Sequence, residues 1–158
     1  MIESSQVELD ASDIAILKQL QLSGRIRNVE LAEKVHLSPP ATHARVKRLE
    51  ELGVITGYAA ILDRNKVGQD CMCFITVSLE LHQPDKLKGF FEAIQLLPEV
   101  LECHHLTGNY DYLLKVVIRN NRELEHFISQ TLVPMPGMSR VSTSVVLREI
   151  KSDTALRI

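Results

Sequence analysis

Along residues 10–55, apolar side chains recur at helical spacing. Asp10 can cap a helix N-terminus, and Asp13, three residues on, places negative charge where the helix dipole favours it. Ile14, Leu17 and Leu20 follow as an apolar stripe that ends at Gly24. The pattern predicts a second short helix after Asn28, carrying Leu31, Ala32 and Val35. A third starts at Ser38, with Pro39 at the first helical position, where a missing N–H costs nothing. Its inward stripe is Thr42, Val46 and Leu49, and Gly53 ends it. Val54, Ile55 and Tyr58 read as a short extended segment.

From Cys71 the period drops to two. Cys73, Ile75, Val77, Leu79 and Leu81 alternate with Met72, Phe74, Thr76, Ser78 and Glu80, which predicts a long strand with one buried face. Pro84 and Asp85 open a helix with Leu87, Phe90, Phe91, Ile94 and Leu97 on one side, stopped by Pro98. Residues 100–107 and 111–118 read as strands about a Gly108-Asn109 turn. Asn121 caps a helix carrying Leu124, Phe127, Ile128 and Leu132, broken by Pro134 and Pro136, and residues 141–150 form a last strand. The order β-α-β-β-α-β is the split βαβ, or ferredoxin-like, arrangement. The expected class is therefore α+β: a three-helix domain over 1–58, a linker over 59–70, and a ferredoxin-like domain over 71–158.

Composition narrows the function classes. The 158 residues are 45% hydrophobic and 24% charged, close to globular averages, which excludes a largely disordered or fibrous chain. No apolar run approaches the roughly 20 residues that cross a bilayer, and residues 1–10 lack the basic start and apolar stretch of a signal peptide. A cytoplasmic protein without membrane association is expected. The net charge of -2 advertises no polyanion partner. Its local distribution does more: no acid appears from Lys34 to Leu49, while Arg45, Lys47 and Arg48 lie close together with His36 and His43 nearby. Binding to DNA depends on local potential rather than total charge.

Three short helices with the tight turn His36-Leu37-Ser38 between the second and third suit a helix-turn-helix. On the third helix Pro40, Ala44 and Lys47 face outward, with Arg48 beside them and His43 and Arg45 on the flanks. Small residues near the helix start let its backbone sink into a major groove, and the cations beyond reach phosphates or guanine edges. A solvated face of a small bundle would share the same pattern.

The stretches LDASDIAILKQLQLSGR and ELAEKVHLSPPATHARVKRLEELGVITGY resemble the amino-terminal half of the Lrp/AsnC regulators. The likeness continues through ILDRNKVG and LPEVLECHHLTGNYDYLLKV, and the last block looks closest to the leucine-responsive branch. The resemblance implies a DNA-binding helix-turn-helix joined to a ferredoxin-like domain for effector sensing and oligomerisation. It implies that Ser38 starts a recognition helix, with Ser38, Pro40, Thr42, His43, Ala44, Arg45, Lys47 and Arg48 as DNA-site candidates. Lys47 and Arg48 are assigned to phosphates, while Arg45 is divided between DNA and an intramolecular salt bridge. The exposed strand face of Met72, Phe74, Thr76 and Ser78 is where similar regulators dimerise, and dimers of such regulators assemble further, often to octamers.

The segment Thr107-Gly108-Asn109-Tyr110-Asp111 resembles the family's effector loop, with Asn109 where an acid is usual. Gly108 would expose backbone N–H groups to an α-carboxylate, and Asp111 would offer charge to an α-ammonium. Leu106, Val133 and Val145 would line an apolar slot, with Thr143 and Ser144 adding hydroxyls and Tyr110 completing the loop. An amino-acid effector follows, leucine or methionine first, with no other cofactor. Without the resemblance, the same residues read as a β-turn whose Asn109 is left-handed and whose Asp111 satisfies backbone amides.

Cys71, Cys73, Cys103 and His105 offer soft ligands, but paired CxxC spacing is absent and their two strands are not neighbours in a ferredoxin-like sheet. The cysteines are expected as small buried hydrophobes, with no metal site. A small enzyme on this fold, or an amino-acid-binding module without a DNA role, is the competing class. None of the histidines falls in a nucleophile elbow, phosphate loop or metal motif, so no catalytic residue is assigned.

Overall fold

The computed structural model describes residues 7–80 and 84–158. Leu81, expected in the first strand, lies outside the described residues, as do residues 1–6 of the signal-peptide reading. The chain forms two compact units, Met1–Ile61 with Lys151–Ile158, and Leu62–Ile150. Residues 151–158, expected in the second domain, therefore belong to the first.

In the first unit, α1 spans Ala11–Leu22, α2 Asn28–Lys34 and α3 Pro39–Glu51. Asp10 and Asp13 close a reciprocal capping box: the Asp13 N–H donates to Asp10 Oδ1 at 2.8 Å and the Asp10 N–H to Asp13 Oδ2 at 3.3 Å. The buried stripe of α1 is Asp13, Ile16 and Leu17. It is rotated from the expected Ile14, Leu17 and Leu20, because Ile14 and Leu20 lie at its margins and are only half-buried. Ile16, Leu17, Leu31 and Leu49 form the core. Burial of each such side chain contributes roughly 1.5–3 kcal/mol. His36 reverses the chain with φ 56, and the Leu37 N–H returns to the Ala32 carbonyl at 3.0 Å. Ser38 caps α3 by accepting the Ala41 N–H, Pro39 sits inside the first turn, and Asn28 Nδ2 donates to the Pro39 carbonyl at 2.8 Å. Gly53 ends the helix region at φ 69, a conformation only glycine adopts without strain. The segment beyond it forms no strand.

The second unit is an antiparallel sheet of β1 (Cys71–Leu79), β2 (Val100–His105), β3 (Tyr112–Ile118) and β4 (Met138–Val145), in the order β2-β3-β1-β4. Helices α4 (Pro84–Gln95) and α5 (Asn121–His126) complete the expected βαββαβ order. Register places Cys73, Ile75 and Val77 beside Val116, Leu114 and Tyr112, and these pack with Phe90, Ile94, Leu124, Phe127 and Leu132 into one core. Several details differ from the sequence pattern, with β2 ending at His105 instead of 107 and β3 starting at Tyr112 instead of 111. Asn120, not Asn121, caps α5, accepting the Glu123 N–H at 3.0 Å. The helix widens over Phe127–Leu132 into π-type winding, with the Val133 N–H bonded to the Ile128 carbonyl. β4 begins and ends earlier than the expected 141–150.

On the opposite sheet face Phe74, Thr76 and Ser78 are exposed or half-buried as expected, whereas Met72 is buried. Cys71 and Cys73 are buried, but Cys103 is exposed because β2 is an edge strand. β3 separates β1 from β2, so Cys71 and Cys73 do not meet Cys103 and His105. Among the described residues no group of three or more His, Cys, Asp or Glu side chains is placed to hold a metal ion.

Candidate functional site

Helix α3 presents Ser38, Pro40, His43, Ala44, Lys47 and Arg48 at its surface, with Arg45 half-buried. Thr42 is a correction. It is fully buried, and its hydroxyl donates to the Ser38 carbonyl at 3.1 Å, so it packs the helix instead of facing DNA.

The arginines bear on a carboxylate that sequence reasoning missed as a partner. Asp13 is only 1% exposed. It accepts Arg45 Nη1 at 2.9 Å and Arg48 Nη1 at 3.1 Å, and Arg45 Nη1 also reaches Asp10 Oδ2 at 2.7 Å. Arg45 therefore takes the intramolecular role in this structure. Arg48, expected mainly on phosphates, is paired here as well. The Asp13 N–H and the Arg45 guanidinium together hold the Asp10 carboxyl below the usual range, and Asp10, then Asp13, raise the Arg45 guanidinium further. Among the described residues Lys47 makes only a solvent-exposed contact with Glu51, 3.5 Å, one turn along the helix. Exposed pairs of this kind contribute little, which leaves Lys47 free for an incoming anion.

In the second unit the loop after β2 folds against the end of β1. The Leu106 N–H bonds the Asp111 carbonyl at 2.8 Å, and the Asp111 N–H bonds the Val77 carbonyl at 3.0 Å. Asp111 Oδ2 accepts the Leu79 N–H at 2.8 Å, so one carboxylate oxygen is committed to the backbone. Gly108, with φ 123, and not Asn109 carries the turn's positive φ. Tyr110 lies beneath the guanidinium of Arg140, 4.9 Å from its ring centre, a partner absent from the sequence reading.

The remaining effector candidates are spread along β1 and over both faces of the sheet. Ser144 stands opposite Phe74 and Thr143 opposite Ile75, so they point to opposite faces of the sheet. Val145 pairs with Cys73, four residues along β1 from Val77, whose carbonyl takes the Asp111 N–H. At about 3.3 Å per residue the separation along the strand is roughly 13 Å. Leu106, Gly108, Asn109, Tyr110 and Asp111 form one group, Thr143 and Val145 another, and Val133 is exposed just beyond the π-type turn.

A capped helix-turn-helix followed by a ferredoxin-like unit defines a two-part DNA-binding regulator. Residues 9–56 match the winged helix-turn-helix DNA-binding family, and residues 72–156 match the Lrp/AsnC ligand binding domain. The chain is 40% identical over 148 residues to the leucine-responsive regulatory protein of Haemophilus influenzae, covering 94% of this chain and 89% of that protein. It is 38% identical to the Escherichia coli protein of the same name, covering 96% and 92%. Among solved structures, a Neisseria meningitidis transcriptional regulator in complex with L-Met superposes with a TM-score of 0.91 at 40% identity, over 95% of this chain and 97% of that one. Escherichia coli AsnC superposes with a TM-score of 0.86 at 27% identity, over 94% and 99%. The chain belongs to the Lrp/AsnC family of transcriptional regulators. It joins a DNA-binding domain to a ligand-binding one. Among the described residues no helix is long and apolar enough to cross a membrane.

Proposed function

We propose that the chain acts in the cytoplasm as a homo-oligomer, dimers assembling to octamers, that presents paired recognition helices to successive major grooves and responds to a small apolar amino acid. The reading rests chiefly on one observation: a helix with an exposed Ser38–Lys47 face shares its chain with a loop, 106–111, pinned to the sheet around Gly108. Similarity to regulators named leucine-responsive, and to one bound to L-Met, supports leucine or methionine as effector. Ser38, Pro40, His43, Ala44 and Lys47 face the DNA, and the 106–111 loop, with Thr143, Ser144, Val145 or Val133 supplied across copies, holds the amino acid. No chemical step is assigned. The ligand acts only if one assembly state binds it better than another.

Calorimetric titration with leucine, methionine, asparagine and lysine, paired with sedimentation at each ligand concentration, tests the proposal. Saturable binding of leucine or methionine with a change in subunit number is expected. Heats indistinguishable from dilution for all of them would remove the sensing role while leaving the regulator.

A further inference from the structure

Of the three cations clustered on the recognition helix, two pair with carboxylates of the first helix, Arg45 with its side chain 32% exposed and Arg48 with 49%. Arg45 and Arg48 occupy positions i and i+3, so they share one side of α3, and that side meets the first turn of α1. Both guanidinium groups converge on Asp13, whose side chain is 2% exposed, and Asp10 adds a second carboxylate to Arg45. Lys47 projects elsewhere, with its side chain 66% exposed. Asp13 is itself held by the capping box that starts α1, so the carboxylates that neutralise the two arginines are part of the scaffold.

We infer that Asp13, assisted by Asp10, is a specificity-determining positioning residue: it withholds the charge of Arg45 and Arg48 from DNA phosphates, so that the recognition helix reads bases with little indiscriminate backbone attraction. Affinity from phosphate contacts is independent of sequence, and each contact adds about 0.9 to the slope of log affinity against log salt. A helix with three free cations would bind any duplex well and discriminate poorly. Restraining two of them leaves Lys47 as the helix's principal phosphate ligand and lets Pro40, His43 and Ala44 decide the register. The pairing also fixes α3 against α1, so the helix enters a groove at a set angle.

The test is the salt dependence of binding by the full chain, measured on a mixed-sequence 25-base-pair duplex and on a duplex selected by the protein from a random pool. Asp13→Asn keeps the shape and removes the charge. It is expected to steepen the slope on the mixed duplex by about one to two, to raise affinity there about tenfold or more at low salt, and to lower the ratio of selected to mixed affinity. Lys47→Gln is expected to make the slope shallower by about one, whereas Arg45→Gln leaves it within a few tenths of the parent. A merely structural role for Asp13 would lower affinity on both duplexes with no steeper slope, and that result overturns the inference. So does an Arg45→Gln slope shallower by as much as that of Lys47→Gln. If Asp13→Asn does not fold, Asp10→Asn, at an exposed site, is expected to steepen the slope in the same sense by a smaller step, and an unchanged slope overturns the inference there too.

Discussion

The side-chain amide of Gln21 clasps both backbone polar groups of Leu156: its Oε1 accepts the Leu156 N–H at 2.5 Å and its Nε2 donates to the Leu156 carbonyl at 3.1 Å. The pairing copies a β-bridge with one side chain, at the end of α1, and ties the last residues of the chain to the helical unit. Replacing Gln21 by Ala removes both bonds. Each such bond is worth about 1 kcal/mol or less when exposed, so hydrogen exchange at the C-terminal amides of α1 is expected to quicken several-fold. Unchanged protection would show that the clasp is not formed in solution.

Thr42 provides a second check. Its hydroxyl is buried and bonded to the Ser38 carbonyl. Thr42→Val keeps the shape and deletes that bond, with an expected loss of about 1 kcal/mol in urea unfolding. The salt slope of DNA binding is expected to stay put; a shallower slope would return Thr42 to the DNA surface.

Asp111 holds the loop to β1. Asp111→Ala strands the nearly buried Leu79 N–H, at a cost of about 1–3 kcal/mol to the second unit. Amino-acid binding is expected to weaken with it. Asp111→Asn, which retains an acceptor, should recover most of the stability. If it recovers none of the binding, the charge itself contacts the ligand.

Acid pH bears on the α1–α3 junction through Asp10. Its carboxyl is held below the ordinary value of 3.8, first by the Asp13 N–H and then by Arg45. A carboxyl depressed in the folded state stabilises the fold above its unfolded pKa, and that contribution disappears as pH falls through the folded value. Glu102, lowered by Lys115 and then His104, acts in the same sense in the second unit. Urea midpoints are therefore expected to fall below about pH 4, and Asp10→Asn to flatten the fall at α1 as followed by hydrogen exchange. A midpoint that rises on acidification would contradict these assignments.

Local signals carried most of the fold. The alternation from Cys73 to Leu79, the Ser38-Pro39 start of α3 and the Gly53 stop appear in the structure as the pattern predicts. Relations across long separations are what local pattern cannot carry. Asp13 reads as an ordinary first-turn acid, and its burial follows only once α3 brings Arg45 and Arg48 to it from 32 and 35 residues away. Cys103 alternates like a core residue, yet an edge strand leaves it exposed. Thr143, Ser144 and Val145 lie together in sequence, but their register along β1 sends them away from the 106–111 loop. The loop itself was legible by resemblance; its anchoring by Asp111 to Leu79 depends on a strand 32 residues earlier.

Operator binding and amino-acid sensing joined in one chain are tested most directly by fluorescence anisotropy of the full protein on its selected duplex, with and without saturating leucine or methionine. A shift of at least several-fold in the midpoint, or in the steepness of the isotherm, is expected with one of them and not with lysine. Isotherms that overlay with every amino acid, in a protein that still selects its duplex, would contradict the coupling.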